Sequence, residues 1–219
     1  DPNYSPENFN YVFTDSYSGQ VKLATVHNGS INIIGRNTET ELRKQYISPL
    51  NSGQLFLSAA IQNPYTDIVI VESKAGSGKT AVSISNALRL ISLGKYSSLT
   101  YVRASVDDVD KAEEIGFLSG NEEKKEVYLH PLEDTLDFIA RQKLKASKLK
   151  GAELEEAVTK EVDTLKAKYH IQPMIGLGMR GRTFTDTIAI IDEAQNMSKS
   201  SLQKVLTRFG KNCKIIVIG

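Results

Sequence analysis

The stretch TDIVIVESKAGSGKTAVSIS, from Thr66 to Ser85, restricts the fold more than any other part of this 219-residue chain. Its β-branched run reads as a buried central strand, and GKTAVSISNALRLISLGK reads as a helix ended by Gly94. Gly76 and Gly78 stand where the two meet. Glycine at the exit of a strand opens backbone conformations closed to other residues and lets the main chain approach a ligand closely. The amides of such a loop, and the start of the helix behind it, carry partial positive charge that suits a phosphate. The pattern G-x-x-x-x-G-K-[ST] is met except at its first position, where Ser73 stands in place of Gly. That position mainly has to be small enough for the turn off the strand, so Ser is a mild departure. In this reading Ser73, Lys74, Ala75, Gly76, Ser77 and Gly78 wrap the phosphates of a nucleotide. Lys79 reaches the β- and γ-phosphates, and the Thr80 hydroxyl binds Mg2+.

A second apolar run, TIAIIDEAQN, ends on Asp192 and Glu193. SLTYVRA and KIIVIG read as further strands, and strands alternating with helices predict an α/β fold built on a parallel sheet. Ligands of such sheets bind beyond the carboxyl ends of the strands, which brings the acidic pair to the phosphate loop. Asp192 is expected to hold Mg2+ through its water shell, because that ion keeps several waters and prefers carboxylate oxygen. Glu193 is expected to orient or deprotonate an attacking water. A carboxylate beside the metal ligand suits hydrolysis better than transfer to a small molecule, which requires water to be excluded.

The remainder frames this core. Residues 1–38 read as a small β-rich extension, with Asn28-Gly29 as a hairpin turn, and residues 39–219 as the nucleotide-binding domain. TETELRKQY reads as a short helix, and another starts near Ser52 after Pro49. An insertion over about 121–170 reads as helical, with Pro131 marking a break or kink. Its second helix carries Leu154, Val158, Val162, Leu165 and Tyr169 on one stripe. We expect it to project from the core, either as a solvated arm or as a phosphate-backbone contact through the basic run RQKLKASKLK, with Lys143 and Lys145 as candidates. A formal net charge of +1 gives no global attraction to nucleic acid or membrane. The single cysteine, Cys213, excludes an intramolecular disulfide and fits a reducing cytoplasm. His27, His130 and His170 lack zinc-ligand spacing. No apolar run reaches membrane-spanning length. The chain starts at Asp1 and stops on a core strand, so it is expected to be a piece of something longer.

Taken together, KAGSGKT, YVRAS, EIGFLSGNEEKK, YLHPLEDTL, MRGRTFTDTIAIIDEAQN and LTRFG resemble the PhoH family of P-loop ATPases over roughly residues 48–219. The resemblance implies a RecA-like core related to one half of a superfamily 1 helicase. It implies ATP hydrolysis with Mg2+, coupled to single-stranded nucleic acid (RNA ahead of DNA), often in a ring-shaped homo-oligomer. By position, Gln54 matches a glutamine expected to read the adenine edge, and Arg103 a residue facing the site or nucleic acid. Ala104 and Ser119 stand where the family has proline. Arg180, Arg182 and Arg208 are candidates for phosphate contacts or for ordinary ion pairs, and Arg182 is our candidate arginine finger across a subunit interface. A GD..Q element of the family would begin where this chain ends. The leading expectation is a nucleic-acid-stimulated ATPase, a helicase or translocase. A packaging motor acting on DNA is a second enzymatic reading, and an ATP-gated assembly module with little turnover is the alternative from another class. One RecA-like lobe is visible, so unwinding would require oligomerisation.

Overall fold

The computed structural model of the chain describes residues 10–14, 16–27, 29–104, 122–175 and 183–219. Three N-terminal strands, β1 (Asn10–Thr14), β2 (Val21–His27) and β3 (Ser30–Ile33), form an antiparallel meander in which His27 pairs with Ser30 across the expected tight turn. Helices α1 (Arg36–Arg43) and α2 (Ser52–Gln62) follow, and the Asn51 side chain caps α2 by accepting from Gln54 N at 2.9 Å. The main domain then runs β4 (Ile68–Val71), α3 (Lys79–Ser92), β5 (Ser98–Arg103), α4 (Glu122–Leu144), α5 (Ala152–Lys168), β6 (Ile171–Ile175), β7 (Thr187–Asp192), α6 (Lys199–Leu206) and β8 (Lys214–Ile218). Its five strands are parallel, in the order β4-β8-β7-β5-β6.

Every residue of β7 and β8 is buried, as befits strands covered on both faces. One face holds Val69, Leu99, Tyr101, Ile188, Ile190 and Ile216 against α3, α4 and α5. The other packs Val102, Ala189, Ile191, Ile215 and Val217 against Val205 of α6. The strand expected to be central, β4, instead lies at the edge of the described sheet, paired with β8 alone, and Ile70 is 78% exposed. Its β-branched run specifies a strand; its place in the sheet depends on which partner arrives later in the chain. The sheet also has a strand we did not anticipate. β6 joins the far edge, pairing with β5 from Leu99 opposite Ile171 to Arg103 opposite Ile175.

The helical segment does not project. Leu132, Leu136 and Ile139 of α4, with Val158, Leu165 and Tyr169 after it, belong to the principal core. α4 is one helix through Pro131, despite the hydrogen bond that proline forgoes there, and the buried Leu132, Leu136 and Ile139 that follow hold it to the core. Fully buried Leu165 allows a direct check. Leu165→Ala is expected to lower stability by about 2–5 kcal/mol, read from the urea unfolding midpoint, whereas a detached arm would leave that midpoint unmoved.

A buried polar seam ties α2 to α3. Asn86 donates to Ser58 Oγ at 3.0 Å and to Val82 O at 2.8 Å, and it accepts from Gln62 Nε2 at 2.7 Å. A buried amide that is fully bonded fixes one relative placement of the two helices, because any other leaves polar atoms unpaired. This seam sets the start of α2 over the loop between β4 and α3.

Candidate nucleotide site

The loop leaves β4 after Val71 and re-enters regular structure at Lys79, the first residue of α3. Gly76 and Gly78 adopt φ of 75° and 82°, in the left-handed region. At Gly78 a side chain is excluded twice over, since a Cβ there would come within 2.9 Å of Gln54 Nε2. Gly78 is also the N-cap of α3, and no side chain caps the helix, so its first-turn amides face the loop without an internal partner. The Ser73 and Ser77 hydroxyls meet at 2.6 Å, a cross-link that glycine at position 73 could not make. The Lys79 ammonium donates to Ser73 O at 2.8 Å.

Three strand ends converge beside this loop. Thr80 Oγ1 donates toward both carboxylate oxygens of Asp192, at 3.2 and 3.3 Å. Asp192 is 2% exposed and also accepts from Glu193 N at 3.1 Å and from the Tyr101 hydroxyl at 2.6 Å. Burial, and next the Asp192 carboxylate, push the Tyr101 phenol well above its ordinary pKa, so it stays a donor. Glu193 follows in the left-handed conformation, φ 56°, a sparsely populated setting for a residue with a side chain. Its carboxylate is held from two sides. Gln195 Nε2 donates to Oε2 at 2.5 Å, and Arg103 Nη2 lies 3.8 Å from Oε1.

These groups border a cavity of about 410 Å³. Ser73, Ala75, Gly76, Ser77, Gly78, Lys79, Thr80, Asp192 and Glu193 line it, together with Pro131 and Thr135 of α4 and Gln195, which we did not anticipate. Lys74 is in the loop but not in the lining. Gln54 sits behind the loop with its amide engaged, accepting from Leu50 N at 2.8 Å and donating to Ser77 O at 2.9 Å. These bonds use one of its two N–H donors and one of its two acceptor lone pairs. Arg180 and Arg182 lie outside the described residues. Lys143 forms an ion pair with Glu161 across the helical hairpin, and Arg141 pairs with Asp137 and Glu155. Lys145 is exposed beyond the end of α4. It is about 15 Å along the helix axis from Thr135, the nearer cavity-lining residue of α4, at a rise of about 1.5 Å per residue.

Tyr101 left a trace in the sequence that is easy to overlook. It stands two residues before Arg103, on the same face of β5, and the parallel register sets Tyr101 beside Ile190 and Arg103 beside Asp192. A strand placed next to the acidic one therefore delivers both side chains to the acidic pair. No helix among the described residues is long and apolar enough to cross a membrane.

A profile of the PhoH-like protein family matches residues 46–219. The chain is 30% identical over 175 residues to Protein PhoH2 of Bacillus subtilis, covering 79% of this chain and 36% of that protein. It is 31% identical over 170 residues to Protein PhoH of Escherichia coli K12, covering 77% and 42%. It is 32% identical over 155 residues to a PhoH-like protein of Synechocystis, covering 70% and 41%. The chain thus spans less than half the length of these relatives.

Proposed function

Because the chain belongs to the PhoH family, a family of P-loop ATPases, we propose that it binds ATP with Mg2+ in this cleft and hydrolyses the β–γ anhydride, with turnover coupled to single-stranded nucleic acid, RNA ahead of DNA. One observation carries the reading. Thr80 and Asp192, 112 residues apart in sequence, meet at the mouth of a glycine loop that ends in a lysine.

The groups present fit the ion. Thr80 and Asp192 offer hard oxygen donors side by side, and among the described residues no cluster of three or more His, Cys, Asp or Glu surrounds them. That suits a cation which completes its shell with phosphate oxygens and water. When bound, Mg2+ would neutralise charge between the β- and γ-phosphates. The chain's own groups do the rest. The loop amides and the N-terminus of α3 receive the β-phosphate, and Lys79 exchanges the Ser73 carbonyl for a γ-phosphate oxygen. Glu193 takes a proton from the attacking water as its oxygen bonds to phosphorus, and the bridging P–O bond breaks to release ADP and phosphate. Among the described candidates for contact with nucleic acid, Arg103 is nearest the reacting groups. Lys143 lies in the last turn of α4 and Lys145 just beyond it, and Lys143 is ion-paired with Glu161. A ring of identical subunits, with Arg182 supplied across the interface, completes the reading. These last elements rest on family resemblance.

A second reading has an observation of its own. Glu193 is bonded to Gln195 and faces Arg103, so its base function is engaged before any substrate arrives. A protein left in that arrangement would hold ATP and turn it over slowly, as an ATP-gated assembly module does. Steady-state ATP hydrolysis by the intact protein, with and without single-stranded RNA or DNA, separates the two. Stimulation by either strand is expected. Tight ATP binding with negligible turnover, indifferent to both strands, would favour the assembly module.

A further inference from the structure

We propose that Tyr101 is the positioning residue for the metal-binding carboxylate: its hydroxyl, delivered from the neighbouring strand, fixes the side chain of Asp192 in the orientation that presents one carboxylate edge to Thr80 and the cleft. The inference rests on the functional reading above and adds a residue to it.

The geometry is specific. Tyr101 is wholly buried in the middle of β5, among the apolar residues of the principal core. A phenol in that setting needs an acceptor for its hydroxyl, and a phenylalanine would have met the packing requirement alone. The acceptor is Asp192 Oδ2, at 2.6 Å, in the range of a charge-assisted O–H···O bond and the shortest contact this carboxylate makes. The approach is diagonal. Tyr101 pairs with Ile190, so its ring reaches two residues further along β7, toward the end of the strand. The bond therefore comes from inside the sheet. The contacts of Asp192 with Thr80 and Glu193 N come from residues that line the cleft.

That division of labour matters when a cation enters. The Thr80 hydroxyl, which donates to Asp192, also has lone pairs to offer the ion, so its oxygen is shared between carboxylate and cation. Tyr101 is itself no ligand of the ion, and its bond can hold the carboxylate whether or not the ion is bound. The terminal torsion of Asp192 is broad and poorly restrained by its own rotamer preference, so its hydrogen bonds set its orientation, and the Tyr101 bond supplies the restraint from within the sheet. A side chain that orients a metal-binding carboxylate from outside the coordination shell changes metal affinity without touching the metal.

The test is the Mg2+ dependence of nucleotide binding, with a fluorescent ATP analogue and no hydrolysis required. Tyr101→Phe removes one oxygen from the core. We expect binding in EDTA to be unchanged and the Mg2+ concentration at half-enhancement to rise by about tenfold or more. Asp192→Asn is the reference and should abolish the enhancement. If Tyr101→Phe lowers the melting temperature but keeps the wild-type Mg2+ midpoint while Asp192→Asn loses it, the hydroxyl is structural and this inference alone falls. If Asp192→Asn also keeps the wild-type midpoint, the functional reading falls and takes the inference with it. Should Tyr101→Phe fail to fold, 3-fluorotyrosine placed at position 101 gives a second readout. Its 19F resonance should shift with the same Mg2+ midpoint as binding, and a resonance indifferent to Mg2+ would overturn the inference.

Discussion

Lys79→Ala is expected to lower ATP turnover by at least about a hundredfold, the scale on which a single preorganised donor to a developing negative charge contributes. The ammonium lies within the loop and donates to Ser73 O, a neutral carbonyl. An anionic phosphate oxygen competes easily for it. Removing the side chain takes away that charge and also frees the Ser73 carbonyl, while the Ser73–Ser77 hydroxyl contact and the left-handed glycines keep the loop's path. Nucleotide affinity should weaken together with turnover, because the lysine meets phosphate in both ground and transition states. Steady-state hydrolysis read beside binding of a fluorescent ATP analogue checks both. Wild-type turnover in a folded Lys79→Ala protein would remove the phosphate-loop assignment.

Glu193→Gln should give a different signature. Loss of a general base costs about a hundred- to ten-thousandfold in rate, and here it should spare ATP binding. Glutamine keeps the volume of the side chain and an oxygen for Gln195, but it loses the charge that faces Arg103 and the ability to take a proton from water. The variant should therefore retain intact ATP, measured as nucleotide co-purifying with the protein or persisting through a single-turnover chase. Comparable and substantial rates in the two proteins would place the base elsewhere, and negligible turnover in both would strengthen the assembly-module reading. The partly exposed Arg103–Glu193 pair, at 3.8 Å, contributes little stability in itself, so a change in melting temperature is not the expected readout.

The extent to which the site was legible differs residue by residue. Ser73 to Thr80 could be placed from sequence because the signal is local. A β-branched run, glycines at positions that take positive φ, and a helix-forming segment are each specified within a few residues. Asp192 and Glu193 were legible for the same reason, as acids closing an apolar strand. Gln54 shows the limit. Its position ahead of the loop was readable, but the bonds of its amide to Leu50 N and Ser77 O come from the packing of α2 on α3 through Asn86. The amphipathic stripe of α5 was equally plain, yet a stripe says only that a face is buried. That it is buried in the principal core, and not within a separate arm, follows from Leu165 and Tyr169 reaching the same cluster as Ile188 and Ile190.

By itself, then, the sequence determined an α/β chain whose phosphate loop opens a helix and whose acidic pair ends a strand, since periodicity and backbone freedom are properties of neighbouring residues. Only the tertiary structure decided the order β4-β8-β7-β5-β6, the edge place of β4 and the addition of β6. It also decided the approach of Tyr101 and Arg103 to Asp192 and Glu193. The physical reason is that parallel strands pair across crossovers of many residues. Which strand becomes whose neighbour, and in what register, is settled by how the helices and both faces of the sheet pack at once.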